Sequence, residues 1–256
     1  MYKKSNRIGE ISVNKHGTSL IIIEYNRKDD IIVEFQDDYQ FKTKTTYQHF
    51  KKGHVNNPYD KIVCNVGFIG EGKFSRTYDK KIYNTWYSMI DRCYNPYVLN
   101  YKNPTYQNCI VDKRFHCLQD FGKWYEENYY TIPGKIMCLD KDILIKGNRR
   151  YGPDTCIFVP LEINSLVVKS YRGKNKLPLG VCYHKEHNKY MSSCSTLING
   201  VKRVVTIGYY NNPNDAFEAY KEFKEKYIKM VADEYKDRIP EKLYEALYRY
   251  KIEIND

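Results

Sequence analysis

The stretch "LDKDILIKGNRRYGPDTCIFVPLEIN", residues 139–164, decides how the rest of the chain is read. It sets Asp140 and Asp142 around Lys141, follows them with a Gly-Asn turn and a basic pair, and closes on Asn164. "MCLDKDIL" and "CIFVP" are apolar runs of strand length, so two strands are expected around the Gly-Asn turn. Proline has no N–H for a ladder, so Pro160 ends the second strand, and "LEINSLVV" then starts a helix. The order is strand, strand, helix, with an acid ending the first strand and an amide on the helix. The acid–lysine–acid run also fits a plain ion-paired hairpin, and Asn164 also fits an ordinary helix hydrogen-bonder.

Working upstream, "LQDFGKWYEENYY" (118–130) spaces Leu118, Phe121, Trp124 and Tyr125 as one helix face. "IYNTWYSMIDRCYN" does the same with Ile82, Trp86, Met89, Ile90 and Cys93. The residues between read as a loop and a short strand. "GFIGEG" lacks the glycine spacing of a phosphate-cradling loop and reads as a tight turn. Residues 8–58 alternate apolar and polar positions. "TSLIIIEY" and "DIIVEF", joined by "NRKDD", predict a small all-β module of four or five strands. Downstream, "KSYRGKNKLP" (169–178) is a basic, turn-rich linker. Three short strands broken at "KEHN" and "ING" follow, then a helix capped by Asn214 or Asp215. A last helix has Pro240 in its first turn.

The 256 residues carry 42 Lys+Arg against 31 Asp+Glu, a formal charge of +11 with pI near 9.0. A surface that basic concentrates polyanions, so nucleic acid is the first partner to test; a solvated basic face is the alternative. The 27 tyrosines are read mostly as packing. No apolar run nears the ~20 residues that span a bilayer. No apolar core follows the basic residues of "MYKKSNRIGE", so no membrane and a cytoplasmic, intracellular setting are expected. The eight cysteines never fall as C-x-x-C, which suits reduced, mostly buried thiols better than a zinc site.

Residues 82–168 resemble the HNH (His-Me finger) endonucleases of phages and mobile introns. The matching phrases are "W-x-x-M-I-x-R-C-Y-N", "D-F-x-x-W", "L-D-K-D-I-x-x-K-G-N" and "Y-x-P-x-T-C-x-F-V-P". The resemblance implies a ββα element holding one divalent cation, Mg or Mn, between Asp140 and Asn164. Lys141 stands where that family has its general-base histidine, and Thr155 near the asparagine that orients it. An ordinary lysine is protonated at neutral pH: it can hold a phosphate and is a poor base. His116, from the preceding segment, is the replacement base to consider, although a satisfied surface histidine is the plainer reading.

Residues 178–228 resemble the DNA-binding domain of plant ethylene-response factors, through "LGV" (179–181), Asn188-Lys189-Tyr190, "INGVKR", "IGYY" (207–210), Pro213 and "DAFEAY". That resemblance implies a three-stranded sheet laid on double-stranded DNA with a helix behind it. Carried over by position, its DNA face comprises His184, Lys185, Lys189, Tyr190, Ser193, Ser195, Lys202, Arg203 and Thr206. The first strand is poorer in arginine than that family's, which weakens guanine readout and spares phosphate contact.

The expectation is an α+β chain in five segments. They are a β module (1–60), a connector (61–81), an HNH-like ββα unit with flanking helices (82–168), a basic linker (169–178) and a three-stranded sheet plus helix (179–256). Its expected function is DNA binding by a nuclease-like protein with an altered catalytic motif. Active metal-dependent nicking is the first alternative, and a protein-interaction factor the remote one.

Overall fold

The computed structural model describes residues 7–167, 177–198 and 201–254, so most of the basic linker, residues 169–176, lies outside the described residues. The chain opens with β1 (Ile11–Val13), β2 (Ser19–Arg27), β3 (Asp30–Phe35) and β4 (Lys42–Thr45), one antiparallel sheet in the order β1-β2-β3-β4. Alternation in β2 and β3 sends Leu20, Ile22, Ile31, Val33 and Phe35 inward, each with no exposed surface. A short helix, α1 (Tyr47–Lys51), closes this core with Phe50, so the module is not purely β. Thr46 caps it, its hydroxyl accepting from the His49 N–H at 3.2 Å.

Helices α2 (Lys80–Tyr94) and α3 (Leu118–Asn128) fall where the apolar spacing puts them. Trp86 is fully buried on α2 and donates through Nε1 to Phe115 O at 2.9 Å. Between the helices come a π-helical turn (Val98–Lys102), a 3-10 turn (Pro104–Tyr106) and β5 (Ile110–Val111). Then follow β6 (Met137–Asp140), β7 (Arg150–Tyr151), β8 (Ile157–Pro160) and α4 (Leu161–Val167). β6 pairs antiparallel with β8, whereas β7 leaves them to pair in parallel with β5.

The two strands expected around the Gly-Asn turn are thus β6 and β8, joined by a long connection that includes β7. The two residues still turn the chain, Gly147 at φ +80° and Asn148 Nδ2 donating to Lys141 O at 2.6 Å, but inside a longer loop. Ile143 draws that loop inward, 3 % exposed in the core.

The last part is an antiparallel sheet of order β11-β10-β9, from β9 (Val181–His184), β10 (Lys189–Ile198) and β11 (Val201–Tyr210). The long helix α5 (Pro213–Tyr235) packs on it, followed by α6 (Glu241–Arg249). The cap of α5 is Asn212, whose Oδ1 accepts from the Asp215 N–H at 2.9 Å, not Asn214 or Asp215. Pro213 explains the shift: without an N–H and with φ preset, it fits the first helical position and leaves the cap to its predecessor. Pro240 likewise sits one residue before α6.

The architecture is mixed α+β, divided into two compact units. One holds Met1–Glu127 and takes back Arg150–Pro153; the other holds Asn128–Arg149 and Asp154–Asp256. All eight cysteines are free thiols, with Cys93, Cys109, Cys117, Cys156 and Cys194 buried. Among the described residues no helix is long and apolar enough to cross a membrane.

Candidate functional site

Asp140 is the last residue of β6, paired with Ile157 of β8, and α4 begins directly after β8. The strand–strand–helix order thus holds, and α4 packs on both strands. Asp140 is 9 % exposed. Its Oδ1 accepts the N–H groups of Asp142 at 2.8 Å and Ile143 at 2.7 Å, which folds the chain back as it leaves the strand. Both hydrogen bonds use Oδ1; Oδ2 makes none among the described residues. Burial, and then the Asp142 carboxylate, push the Asp140 carboxyl up to about 6, against the pull of those two N–H donors and of Lys141.

Asn164, on α4, carries a second unsatisfied oxygen: its Oδ1 is buried and has no hydrogen-bond partner. A buried acceptor left open costs on the order of 1–3 kcal/mol, so a cation or a donor is wanted there. A carboxylate oxygen and an amide oxygen are hard donors suited to Mg or Mn. Asp140 and Asn164 therefore fit such an ion by donor type. Among the described residues no three His, Cys, Asp or Glu side chains gather as a metal site, so any ion held here would depend on the amide and on water.

Lys141 is a buried residue whose Nζ meets Asp142 Oδ2 at 3.2 Å. This ion pair sits within the acid–lysine–acid run and holds the ammonium beside the candidate site. Thr155 is half-buried just before β8. His116 belongs to the first unit, where its Nε2 donates to Val111 O at 3.1 Å. Burial lowers its pKa.

The C-terminal sheet has two distinct faces. Ser192, Cys194 and Thr196 of β10 are buried, and Cys194 lies in the core that α5 completes with Phe217, Tyr220 and Tyr227. Cross-strand partners share a face. His184 with Lys189, Ser193 with Thr206, and Ser195 with Val204 therefore lie on the outer side. Lys202 pairs with Leu197 in the ladder, and its side chain lies outside the described residues.

Two expected DNA-face residues sit elsewhere. Arg203 pairs with buried Thr196 and Tyr190 with Tyr210, which puts both on the α5 side, Arg203 remaining exposed. Lys185 is exposed in the β9–β10 turn.

The outer face also carries a cluster that sequence reasoning missed. His184 and His187 stack at 4.7 Å, and Tyr209 meets them edge-on at 5.4 and 4.5 Å. The signal was present as two histidines three apart across the turn, in "HKEH". Charge gathers in the same half of the chain: residues 131–210 hold 13 Lys+Arg against five acids, most of the +11 excess. No family model, curated protein or solved structure matches the chain.

Proposed function

We propose that the protein binds double-stranded DNA through the outer face of the β9–β10–β11 sheet, beside a nuclease-like ββα element. The observation that carries this is the face itself: α5 covers only the opposite side, leaving lysine, histidine and hydroxyl groups in adjacent rows. Such a surface supplies phosphate donors, and a sheet two or three strands wide suits a groove or backbone track. The concentration of positive charge in residues 131–210 adds steering.

The test is duplex affinity measured by fluorescence anisotropy across a salt series. Lys185→Glu with Lys189→Glu is expected to flatten the slope of log affinity against log salt by about 0.9 for each phosphate that is no longer neutralised. A slope that stays the same in the double variant removes this face from the interface.

A second reading, metal-dependent nicking, is favoured by one specific feature: the unsatisfied Asn164 Oδ1 together with the free Oδ2 of Asp140. Bound there, magnesium or manganese would polarise a phosphodiester and neutralise its charge. Lys141, beside that position, can pair with a phosphate oxygen; neither histidine of the second unit belongs to the ββα element. Supercoiled plasmid is the probe. Nicking that requires Mg or Mn and disappears in Asp140→Asn establishes the activity, and intact plasmid under both metals eliminates it. Cleavage gained by Lys141→His would mark the altered base position as the missing part.

A further inference from the structure

Near the C-terminal end of α2, the Arg92 guanidinium is held without an acid. Its Cζ lies 5.4 Å from the Tyr106 ring centroid and 5.5 Å from that of Tyr151. Nε donates to Ser88 O at 3.0 Å and Nη1 to the Tyr106 hydroxyl at 3.4 Å. Nη2 makes no hydrogen bond among the described residues. Nearby carboxylates are engaged elsewhere. Asp91 Oδ1 accepts from Asn95 at 2.7 Å, while Asp112 serves Arg114 at 3.0 Å and Arg150 at 3.5 Å. Aromatic faces attract the cation but give its outer edge no acceptor. What remains is half of a planar fork, the geometry that takes a phosphate oxygen pair.

The adjoining segment is unusual too. Helix α2 packs on the π-helical turn Val98–Lys102, and that turn packs on the 3-10 turn bearing Tyr106. π-helical turns are rare and concentrate at functional positions. Tyr97 and Tyr101 stand out from this one, 58 % and 76 % exposed, their rings 5.4 Å apart. Lys102 Nζ lies 5.3 Å over the Tyr97 ring. Exposed aromatic rings beside an unmatched guanidinium and an ammonium form a stacking platform with its own phosphate donors.

We propose that Arg92, Tyr97, Tyr101 and Lys102 form a second nucleic-acid site, one that takes unpaired strand. Phosphates bind Arg92 and Lys102, and bases stack on the two tyrosines. The choice of unpaired strand follows from the rings, because a duplex hides the faces of its bases. This site deepens the nucleic-acid reading and rests on it, yet it uses none of the sheet residues.

The test uses the full chain, with labelled oligothymidylate and a labelled duplex measured in parallel. Tyr97→Ala with Tyr101→Ala should weaken oligothymidylate binding about tenfold or more and leave duplex affinity within about twofold. Both rings are exposed, so this variant decides the matter without a folding penalty. Arg92→Gln should lower the single-strand salt slope by about 0.7, one phosphate's worth, measured at a temperature where circular dichroism shows the variant folded. Single-strand affinity untouched by the tyrosine pair overturns the site. The sheet reading still stands in that case if Lys185→Glu with Lys189→Glu weakens duplex binding. Failure to bind either polymer overturns both.

Discussion

The two carboxylate oxygens of Asp140 differ in their surroundings. Oδ1 holds the turn after β6 by accepting from Asp142 and Ile143, and Oδ2 makes no hydrogen bond among the described residues. The turn can be tested by substitution. Asp140→Ala strands two N–H groups and should cost about 1–3 kcal/mol in denaturant unfolding. Asp140→Asn keeps an acceptor at Oδ1, so it should lose far less stability although it removes the negative charge. A second carboxylate, Asp112, works on acid stability. Hydrogen bonds and charge from Arg114, with Arg150 adding to them, hold its carboxyl down to about 2. Its contribution is complete above the unfolded value near 4 and is lost as pH falls towards 2. An acid titration followed by circular dichroism should therefore show Asp112→Asn less sensitive to pH over that window than the native chain. At this scale the sequence was partly legible. The places of Asp140 at a strand end and of Asn164 on the following helix were legible, whereas the cap of α5 is Asn212 and not Asn214 or Asp215. A polar residue at 214 or 215 satisfies the general cap preference, and only the fixed φ of Pro213 moves the cap to its predecessor.

At the scale of elements, the helices were easier to read than the last sheet. Helices α2 and α3 announce themselves by Trp86, Met89, Phe121 and Trp124 at helical spacing, and the structure buries all four. Strand β10, "KYMSSCSTLI", offers no such contrast. Serines and threonine occur on both of its faces: Ser192 and Thr196 are buried beneath α5 while Ser193 and Ser195 look outward, and a register shift between Ser192 and Ser193 blurs the alternation further. Arg203 and Tyr190 were expected on the DNA face by the resemblance alone, and the pairing of β10 with β11 puts them on the other side. Gly180 shows a constraint on the same sheet that a sequence pattern cannot explain. It sits at φ +74°, and a Cβ there would come 2.1 Å from the Tyr220 ring. Gly180→Ala should lower the stability of the second unit by roughly 2–4 kcal/mol, combining left-handed strain with overpacking. Chemical denaturation followed by tyrosine fluorescence would measure it.

For the whole molecule, the informative feature is how the chain is shared. Residues 82–168 are divided: α2, nearly all of α3, β5 and β7 belong to the first unit, and β6, β8 and α4 to the second. Nothing in periodicity or composition marks such a division, because it depends on Arg150–Pro153 returning to the first unit after the loop that follows β6. The return is anchored by β7 pairing with β5 and by Tyr151, 1 % exposed. Tyr151→Ala should cost about 3–5 kcal/mol, as for other large aromatic deletions, and the loss should appear as lowered hydrogen-exchange protection around β5 and α2.

That returning segment also sets a clock on the ribosome. The first unit emerges nearly entire once Glu127 has left the exit tunnel, yet β5 must wait for its parallel partner until Tyr151 follows. At bacterial or eukaryotic synthesis rates the delay lasts roughly one to five seconds. During that interval the nascent chain carries an unclosed edge, the interval in which a chaperone or a premature stop would matter most.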